Sequence, residues 1–311
     1  MTQNDARKFL VFGATGFQGG AIARRLLAEG RPVRGFSRTA GGSPASPPPV
    51  EGLEHVFGDL GDRDAVKRAF EGVTHAAVVL PQVYDHETVL AHATNVAEAA
   101  REAGVTRLVF NGNTRIPAAK TTFSGFETRR AAEAVLAESG VPTVFVRPPV
   151  YLDNLFSPFS GPALVRDGVL AFPLPPHVRV AWLPHVDLAD ATAAALTTGA
   201  DVAGRVFDLG GKEVVTGPEL AEAFGAAFGR PVQYVPLEPA QFEGGLAQVF
   251  GPETAAGIAG TYKWAATEEG ADSLVGDPDG LERALGVSLT PLAEWISAQP
   301  WHIWAEAPAR T

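Results

Sequence analysis

The sequence predicts a doubly wound α/β fold with a parallel sheet, followed by a smaller, mixed and mainly helical C-terminal lobe. Short, nearly unbroken apolar runs alternate with helix-like runs through the first half of the chain. Such apolar runs are typical of strands that are covered on both faces of a parallel sheet. Strands and helices that alternate at this spacing indicate successive βαβ units. Because the alternation ends near residue 152, we predict a first domain over 1–152, which also receives segments from about 178–210, and a smaller lobe over 153–311.

The boundaries of the elements follow from where each apolar pattern starts and stops. Asp62 and Asp187 stand at the start of two helical runs and are predicted as N-caps, whose carboxylates accept first-turn amides. The predicted strands are 8–12, 32–36, 54–57, 74–80, 107–110, 143–146, 178–183, 205–210 and 232–235. The predicted helices are 17–29, 62–70, 86–103, 126–139, 187–198 and 218–228.

The end of the chain is predicted to form a small helical lobe over 238–311. Trp295, Trp301 and Trp304 lie close together in this segment. Large aromatic side chains of this kind dominate the energetics of packing when they are buried. We therefore expect the tail to dock against the body of the protein.

Composition excludes several classes of function. The 311 residues include no cysteine, which rules out disulfides, thiolate metal sites and cysteine nucleophiles. The formal net charge of −10 argues against a nucleic-acid surface, which needs a basic face. No apolar run approaches the roughly 20 residues of a membrane span, and the N-terminus lacks a signal-peptide pattern, so we expect a cytoplasmic protein without membrane partners. The histidines lack metal-ligand spacing and there is no G-x-S-x-G motif, so neither a metal site nor a serine hydrolase is expected.

The stretch 13-GATGFQG-19 is the strongest chemical signal in the chain. It follows an apolar strand-like run and precedes a helix-like run, which is the context of a dinucleotide-binding turn. We expect Gly13 to permit the tight turn, Gly16 to let the backbone approach a pyrophosphate, and Gly19 to let the helix pack close to the strand. The helix N-terminus then offers unpaired N–H groups to the phosphates. The residues of this turn that we predict to contact the cofactor are Gly13, Thr15, Gly16, Phe17, Gln18 and Gly19.

The end of the second predicted strand indicates which dinucleotide is bound. An NAD site usually places an acid about 20 residues after the glycine turn, to bind the ribose 2′-hydroxyl. Here the sequence reads 33-VRGFSRT-39, without an acid. The Arg38 guanidinium can bond a 2′-phosphate in a bidentate manner, and the Ser37 hydroxyl can add a donor. We therefore predict NADP(H); the alternative, an arginine that only faces solvent, suits Arg34 better than Arg38.

Several further motifs resemble the NmrA-like family of atypical short-chain dehydrogenases/reductases. The glycine turn, 58-GDLGD-62 and 74-THAAVVLP-81 are similar to this superfamily. Gln18, 104-GVTRLVF-110, 139-SGVPTVFVRPPVYLDNL-155 and 181-AWLPHVDLADATAAAL-196 resemble the NmrA-like members in particular. The resemblance covers roughly residues 7 to 236 and implies a Rossmann fold with a bound nicotinamide dinucleotide. It does not indicate the substrate.

The resemblance also implies cofactor contacts beyond the glycine turn. Asp59 and Leu60 would lie beside the adenine, although Asp59 could equally be a helix cap or a loop carboxylate. Leu80 and Pro81 would lie along the cofactor, and Asn111 and Gly112 on its nicotinamide side. The residues from Pro148 to Tyr151, including Val150, would cover the nicotinamide, with Asn154 nearby.

The usual catalytic pair of the superfamily is missing. That pair is Tyr-x-x-x-Lys, in which the lysine lowers the pKa of a tyrosine that donates a proton to the substrate. None of the tyrosines, Tyr84, Tyr151, Tyr234 and Tyr262, has a lysine four residues later. In the corresponding helix, Phe126 cannot donate a proton, and Arg129 occupies the place of the lysine in many NmrA-like reductases. Arg129 could hold the ribose or an anionic substrate, or it could be a surface arginine paired with Glu133.

The remaining catalytic candidates are Asn111, which replaces the usual strand-end Ser or Thr, Tyr151, and Lys120 in a nearby loop. A loop lysine such as Lys120 can also be merely solvated. Aromatic residues could line an apolar pocket or belong to the core; they are Phe123, Phe126, Tyr151, Phe156, Phe159 and Phe172.

Two functions fit these observations. One is an NADPH-dependent reductase of a small, fairly apolar acceptor, such as a quinone, an enone or an imine, because the cofactor carries the chemistry of hydride transfer. The other is a sensor without catalytic activity, which reports the redox state of NADP(H) to a protein partner. The first needs a small-molecule substrate, and the second needs a partner surface.

Overall fold

The computed structural model describes residues 7–39 and 47–305. Their centre is a seven-stranded sheet with the order β3-β2-β1-β4-β5-β6-β8, in which every neighbouring pair is parallel. A separate parallel pair, β7 and β9, lies in the C-terminal lobe. The strands are β1 (Phe9–Phe12), β2 (Val33–Ser37), β3 (Glu54–Phe57), β4 (His75–Val79), β5 (Arg107–Asn111), β6 (Thr143–Arg147), β7 (Val169–Phe172), β8 (Val206–Asp208) and β9 (Gln233–Pro236).

Helices cover both faces of the large sheet and build most of the lobe. They are α1 (Phe17–Ala28), α2 (Arg63–Phe70), α3 (His86–Glu102), α4 (Ser124–Glu138), α5 (His185–Thr197), α6 (Gly217–Phe228), α7 (Pro239–Phe250), α8 (Pro252–Ala265), α9 (Pro278–Leu285) and α10 (Leu292–Ala298). The predicted doubly wound α/β class and the mainly helical lobe are therefore confirmed. Within the described residues, no helix is both long and apolar enough to cross a membrane.

The position of β1 at the centre of the sheet explains why its sequence is apolar throughout. Phe9 and Val11 point into one hydrophobic layer, and Leu10 and Phe12 into the other. All four side chains are at most 1% exposed. A strand covered on both faces needs apolar residues at every position, in place of the alternation of a strand with one wet face.

The tail docks as expected. Trp295 is buried in the core of the lobe, and the Trp301 ring packs edge-on against Phe156, Phe224 and Trp295. The indole N–H of Trp301 donates to the carbonyl oxygen of Ile296 at 2.6 Å, which satisfies its only donor.

The strand predicted over 178–183 is wrong. This segment makes only isolated bridges, Val180 with Val215 and Leu183 with Tyr151. Between them, the Ala181 amide donates to the carbonyl oxygen of Leu274 at 2.9 Å. The apolar alternation is real, but the backbone groups find partners on several different segments and no continuous ladder forms.

The two predicted N-caps have different outcomes. The Asp62 carboxylate accepts the amides of Asp64 and Ala65 at 3.0 Å and caps α2 as expected. The prediction for Asp187 is wrong, because α5 begins earlier, after Pro184. Asp187 lies in the first turn, 1% exposed, and accepts the hydroxyl and the amide of Thr290 at 2.6 and 3.0 Å.

The buried Asp187 makes stability depend on pH. Burial raises the pKa of its carboxyl from 3.8 to about 6. The folded state therefore binds a proton up to about pH 6, whereas the unfolded chain releases it near pH 4. The stability contributed by this group is fully present below pH 4 and is lost as pH rises through 6. We expect the wild type to lose about 2–3 kcal/mol of stability between pH 4 and pH 7, and Asp187→Asn to lack this loss because an amide does not titrate.

Urea unfolding at pH 4 to 8 measures this difference. Asp201→Asn is the matched control, since Asp201 is an exposed loop carboxylate. Equal pH dependence of the wild type and Asp187→Asn would contradict the assignment.

Candidate active site

A cavity of about 710 Å³ opens at the carboxyl ends of β1, β2 and β4 and extends beneath the lobe. The strand order reverses between β1 and β4, and ligands of open α/β sheets bind at such a switch point. The walls come from the glycine turn, the loops after β2 and β4, the segment after β6, and helices α4, α5 and α8.

The glycine turn has the geometry that its sequence predicts. Gly13 adopts a φ of +65°, in the left-handed region that glycine enters without a Cβ penalty. A Cβ on Gly19 would lie 2.6 Å from the carbonyl oxygen of Phe12, so only glycine allows α1 to pack this closely on β1. Helix α1 begins after Gly16, which has no side chain to cap it. Its first-turn amides are thus open to an anion in the cavity, and the turn fits a dinucleotide pyrophosphate.

The end of β2 places two polar side chains at this end of the cavity. Ser37 is buried, and its hydroxyl accepts the Thr15 amide at 3.3 Å, which ties the glycine turn to β2. Arg38 is exposed at the rim of the cavity. Arg34, in contrast, is buried and bonds Glu54 and the carbonyl oxygen of Ala69, so it neither faces solvent nor reaches the cavity.

Asp59 behaves mainly as a loop carboxylate. Its Oδ1 accepts the Gly61 amide at 2.8 Å, as expected of a loop carboxylate. Its side chain is 59% exposed, and the His92 imidazole lies 3.9 Å away. Asp59 and Leu60 both line the cavity.

A polar network joins the end of β5 to the segment after β6. The Asn111 side-chain amide donates to Gln18 Oε1 and to the Tyr151 hydroxyl, both at 3.1 Å. The Tyr151 hydroxyl in turn donates to Asn113 Oδ1 at 3.3 Å. Burial raises the pKa of Tyr151, so its phenol stays protonated. Among the described non-glycine residues, Asn113 alone has a positive φ, of 59°, a conformation that often occurs at functional sites.

Arg129 is a buried cation in the cavity wall. Its side chain is 1% exposed, and its Nη1 and Nη2 donate to the carbonyl oxygens of Val83 and Pro81 at 3.1 and 3.0 Å. The guanidinium carbon lies 5.0 Å from the centre of the Tyr84 ring. No carboxylate of residues 7–39 or 47–305 forms an ion pair with the Arg129 guanidinium. Glu133, the expected partner, bonds Arg147 instead. The alternative interpretation of Arg129, as a surface arginine paired with Glu133, is therefore wrong. Burial lowers the pKa of Arg129, but a guanidinium still remains charged.

Comparison with known proteins places the chain in a family. The model of the NmrA-like family matches residues 5–297. This chain belongs to the NmrA-like family. Its relatives include the (4-alkanoyl-5-oxo-2,5-dihydrofuran-3-yl)methyl phosphate reductase of Streptomyces griseus subsp. griseus, 33% identical over 73% of this chain and 76% of that protein. Another is quinone oxidoreductase 2 of Escherichia coli, 27% identical over 80% and 83% of the two chains.

A solved structure of similar fold is triphenylmethane reductase of Citrobacter sp. in complex with NADP(H). It superimposes with a TM-score of 0.71 at 24% identity and covers 93% of this chain and 98% of its own. This likeness confirms the Rossmann architecture.

The cavity of this NmrA-like chain includes most of the sequence-predicted contacts. Those that line it are Gly13, Thr15, Gly16, Phe17, Gln18, Gly19, Ser37, Arg38, Asp59, Leu60, Leu80, Pro81, Gly112 and Val150, with Arg129, Tyr151 and Asn154. Asn111 is not part of the lining and donates hydrogen bonds to Gln18 and Tyr151, which are. Pro148 does not line the cavity, and its neighbour Pro149 does.

Lys120 falls outside the site. It is exposed in the loop between β5 and α4 and does not line the cavity, so its expected catalytic role has no structural basis. For the aromatic set, the interpretation as core residues holds for Phe126 and Phe172, and the interpretation as a pocket lining holds for Tyr151. Of that set only Tyr151 lines the cavity; Phe126 and Phe172 are buried elsewhere, and Phe159 is 69% exposed.

Residues from distant segments complete the site of this NmrA-like chain. Tyr84 follows β4, His185 begins α5, and Ile258, Thr261 and Tyr262 lie on α8. His185 packs on Tyr151 with ring centres 4.7 Å apart, and its Nδ1 lies 3.4 Å from Asp153. No site residue was predicted on α8; the spacing 258, 261 and 262, which places these residues on one helix face, is a signal that could have indicated it.

Proposed function

We propose that this chain is an NADPH-dependent reductase, which passes a hydride to a small unsaturated acceptor such as a quinone, an enone or an imine. The observation that carries the proposal is one continuous cavity, which joins the uncapped start of α1 to an end lined by Arg129, Tyr84 and Tyr262. Related proteins that reduce a quinone and an unsaturated lactone phosphate support this reaction class.

Each part of the cavity has a role in this reaction. The reduced nicotinamide supplies the hydride when it is bound. The first-turn amides of α1 would hold the pyrophosphate, and Ser37 and Arg38 the 2′-phosphate. Tyr151, held by Asn111 and Asn113, would form a rigid wall on the nicotinamide side.

Arg129 would stabilise the negative charge that develops on the acceptor. Two backbone carbonyls and the Tyr84 ring hold the guanidinium in place before reaction. A fixed, buried cation interacts more strongly with a developing charge than one that is surrounded by solvent. Because a guanidinium does not release its proton at neutral pH, the proton that completes reduction would come from water.

A screen of NADPH oxidation tests the proposed function. Purified protein is mixed with NADPH and a panel of quinones, enones and cyclic imines, and absorbance at 340 nm is followed. Acceptor-dependent oxidation is expected. Tight NADPH binding without oxidation by any acceptor would overturn the reductase and favour the sensor.

Arg38 is expected to give the preference for NADPH over NADH. Arg38→Ala should weaken NADPH binding about 10- to 100-fold, the loss of a charge-assisted bidentate bond, and leave NADH binding within about twofold. Dissociation constants of both cofactors from fluorescence titration measure the ratio. Arg63→Ala makes the same charge change at an exposed site on α2. An unchanged NADPH affinity in Arg38→Ala would refute the assignment.

A further inference from the structure

Tyr262 is the one tyrosine whose hydroxyl has no hydrogen-bond partner in the part of the chain that the structure describes. The other phenols are all occupied: Tyr84 donates to Gln82, Tyr151 to Asn113, and Tyr234 to the carbonyl oxygen of Leu174. Tyr262 is only 8% exposed, yet it lines the cavity. The hydroxyl is not among the sealed polar atoms that lack a partner, so it is a free donor that a ligand atom in the cavity could bond.

Packing fixes where the Tyr262 ring lies. Its centre is 5.2 Å from that of Phe172 and 5.4 Å from that of Phe242, both edge-on at 90°. These contacts hold the ring from two sides and leave the hydroxyl as the group available to the cavity. Burial raises the pKa of Tyr262, so the phenol is a neutral donor across the physiological range.

The contact between α8 and α4 brings Tyr262 to the acceptor end. A Cβ on Gly125 would overlap the carbonyl oxygen of Gly257, so the two helices touch through their backbones there. The Tyr84 ring packs on Gly257, and the same ring lies under Arg129. Tyr84 and Tyr262 both line the cavity.

We propose that the Tyr262 hydroxyl donates a hydrogen bond to a carbonyl oxygen of the acceptor and thereby selects quinones and enones over acceptors without such an oxygen. This inference rests on the proposed reductase function. As a hydride forms the new C–H bond on an enone, the electron pair of the C=C bond moves toward the carbonyl oxygen. Water then protonates the enolate. The Tyr262 bond strengthens as that oxygen becomes negative.

Binding to the oxidised complex tests the proposal without turnover. Menadione is titrated into the complex with NADP⁺, in which no hydride is available, and its dissociation constant is measured by calorimetry. Tyr262→Phe should weaken binding about tenfold, the loss of one hydrogen bond. Its melting temperature should equal that of the wild type, because no bond within the described protein is lost.

Tyr234→Phe is the matched control, since it removes a hydroxyl that bonds a backbone carbonyl away from the cavity. This variant should lose stability and keep its affinity for menadione. Equal affinities of the wild type and Tyr262→Phe, or no binding of menadione by the wild type, would overturn the inference. Failure of the proposed function has a different signature, which is the absence of NADPH oxidation with every acceptor of the panel.

Discussion

The Gly19→Ala variant is expected to lose about 2–3 kcal/mol of folding stability and most of its affinity for NADPH. The added Cβ would lie 2.6 Å from the carbonyl carbon of Gly13 and equally close to the carbonyl oxygen of Phe12. Both are backbone atoms at the end of the central strand, so neither can rotate away. Helix α1 must shift, and its first-turn amides move with it.

Thermal unfolding and NADPH titration measure the two effects. Gly244→Ala is the matched control, because Gly244 also lies in a helix, α7, but has open space where a Cβ would be. It should be neutral, or up to about 1 kcal/mol more stable, from helix propensity alone. A Gly19→Ala protein with unchanged melting temperature and unchanged NADPH affinity would contradict the close contact between α1 and β1.

The Arg129→Met variant is expected to lower kcat/KM for the acceptor about 100- to 1,000-fold, the usual effect of removing a preorganised donor to a developing anion. Methionine fills much of the same space but carries no charge. NADPH affinity should change by less than about threefold if the guanidinium acts on the acceptor. Arg129→Lys should recover part of the rate, because an ammonium restores the charge but lacks the planar fork that spans two carbonyls.

Arg130→Met is the control for the charge and length of the side chain. Arg130 follows in the same helix but bonds Glu127 and the carbonyl oxygen of Pro117, and it does not line the cavity. Steady-state and single-turnover kinetics distinguish hydride transfer from binding. A normal single-turnover rate in Arg129→Met would remove Arg129 from the chemistry.

Local sequence predicted the backbone geometry of the glycine turn well. The strand β1, the glycine turn and α1 are consecutive, so each glycine could be given a conformational reason before the structure was known. Gly13 has the positive φ, and Gly19 the close contact, that those reasons require. Ser37 and Arg38 lie at the carboxyl end of the neighbouring strand β2. Because β1 and β2 are parallel, this end lies at the same edge of the sheet as the glycine turn.

The acceptor end could not be predicted in the same way. Tyr84 and Arg129 are 45 positions apart in the chain, and Tyr262 is contributed by a helix of the lobe. No repeat or spacing connects them, and they meet because the loop after β4 packs against α4 and α8 packs on α4. A search for tyrosine with lysine four residues later misses such a set, since the phenol and the cation lie on different elements.

The backbone contact between Gly125 and Gly257 also limits how the range of acceptors can be broadened. A side chain at Gly125 would act as a wedge between α4 and α8, whereas one at Gly257 would collide with the Tyr84 ring that lies against Arg129. Shortening Ile258, on the same face of α8, would add room without displacing either helix. Engineering for bulkier acceptors should therefore begin at Ile258 and leave the two glycines in place.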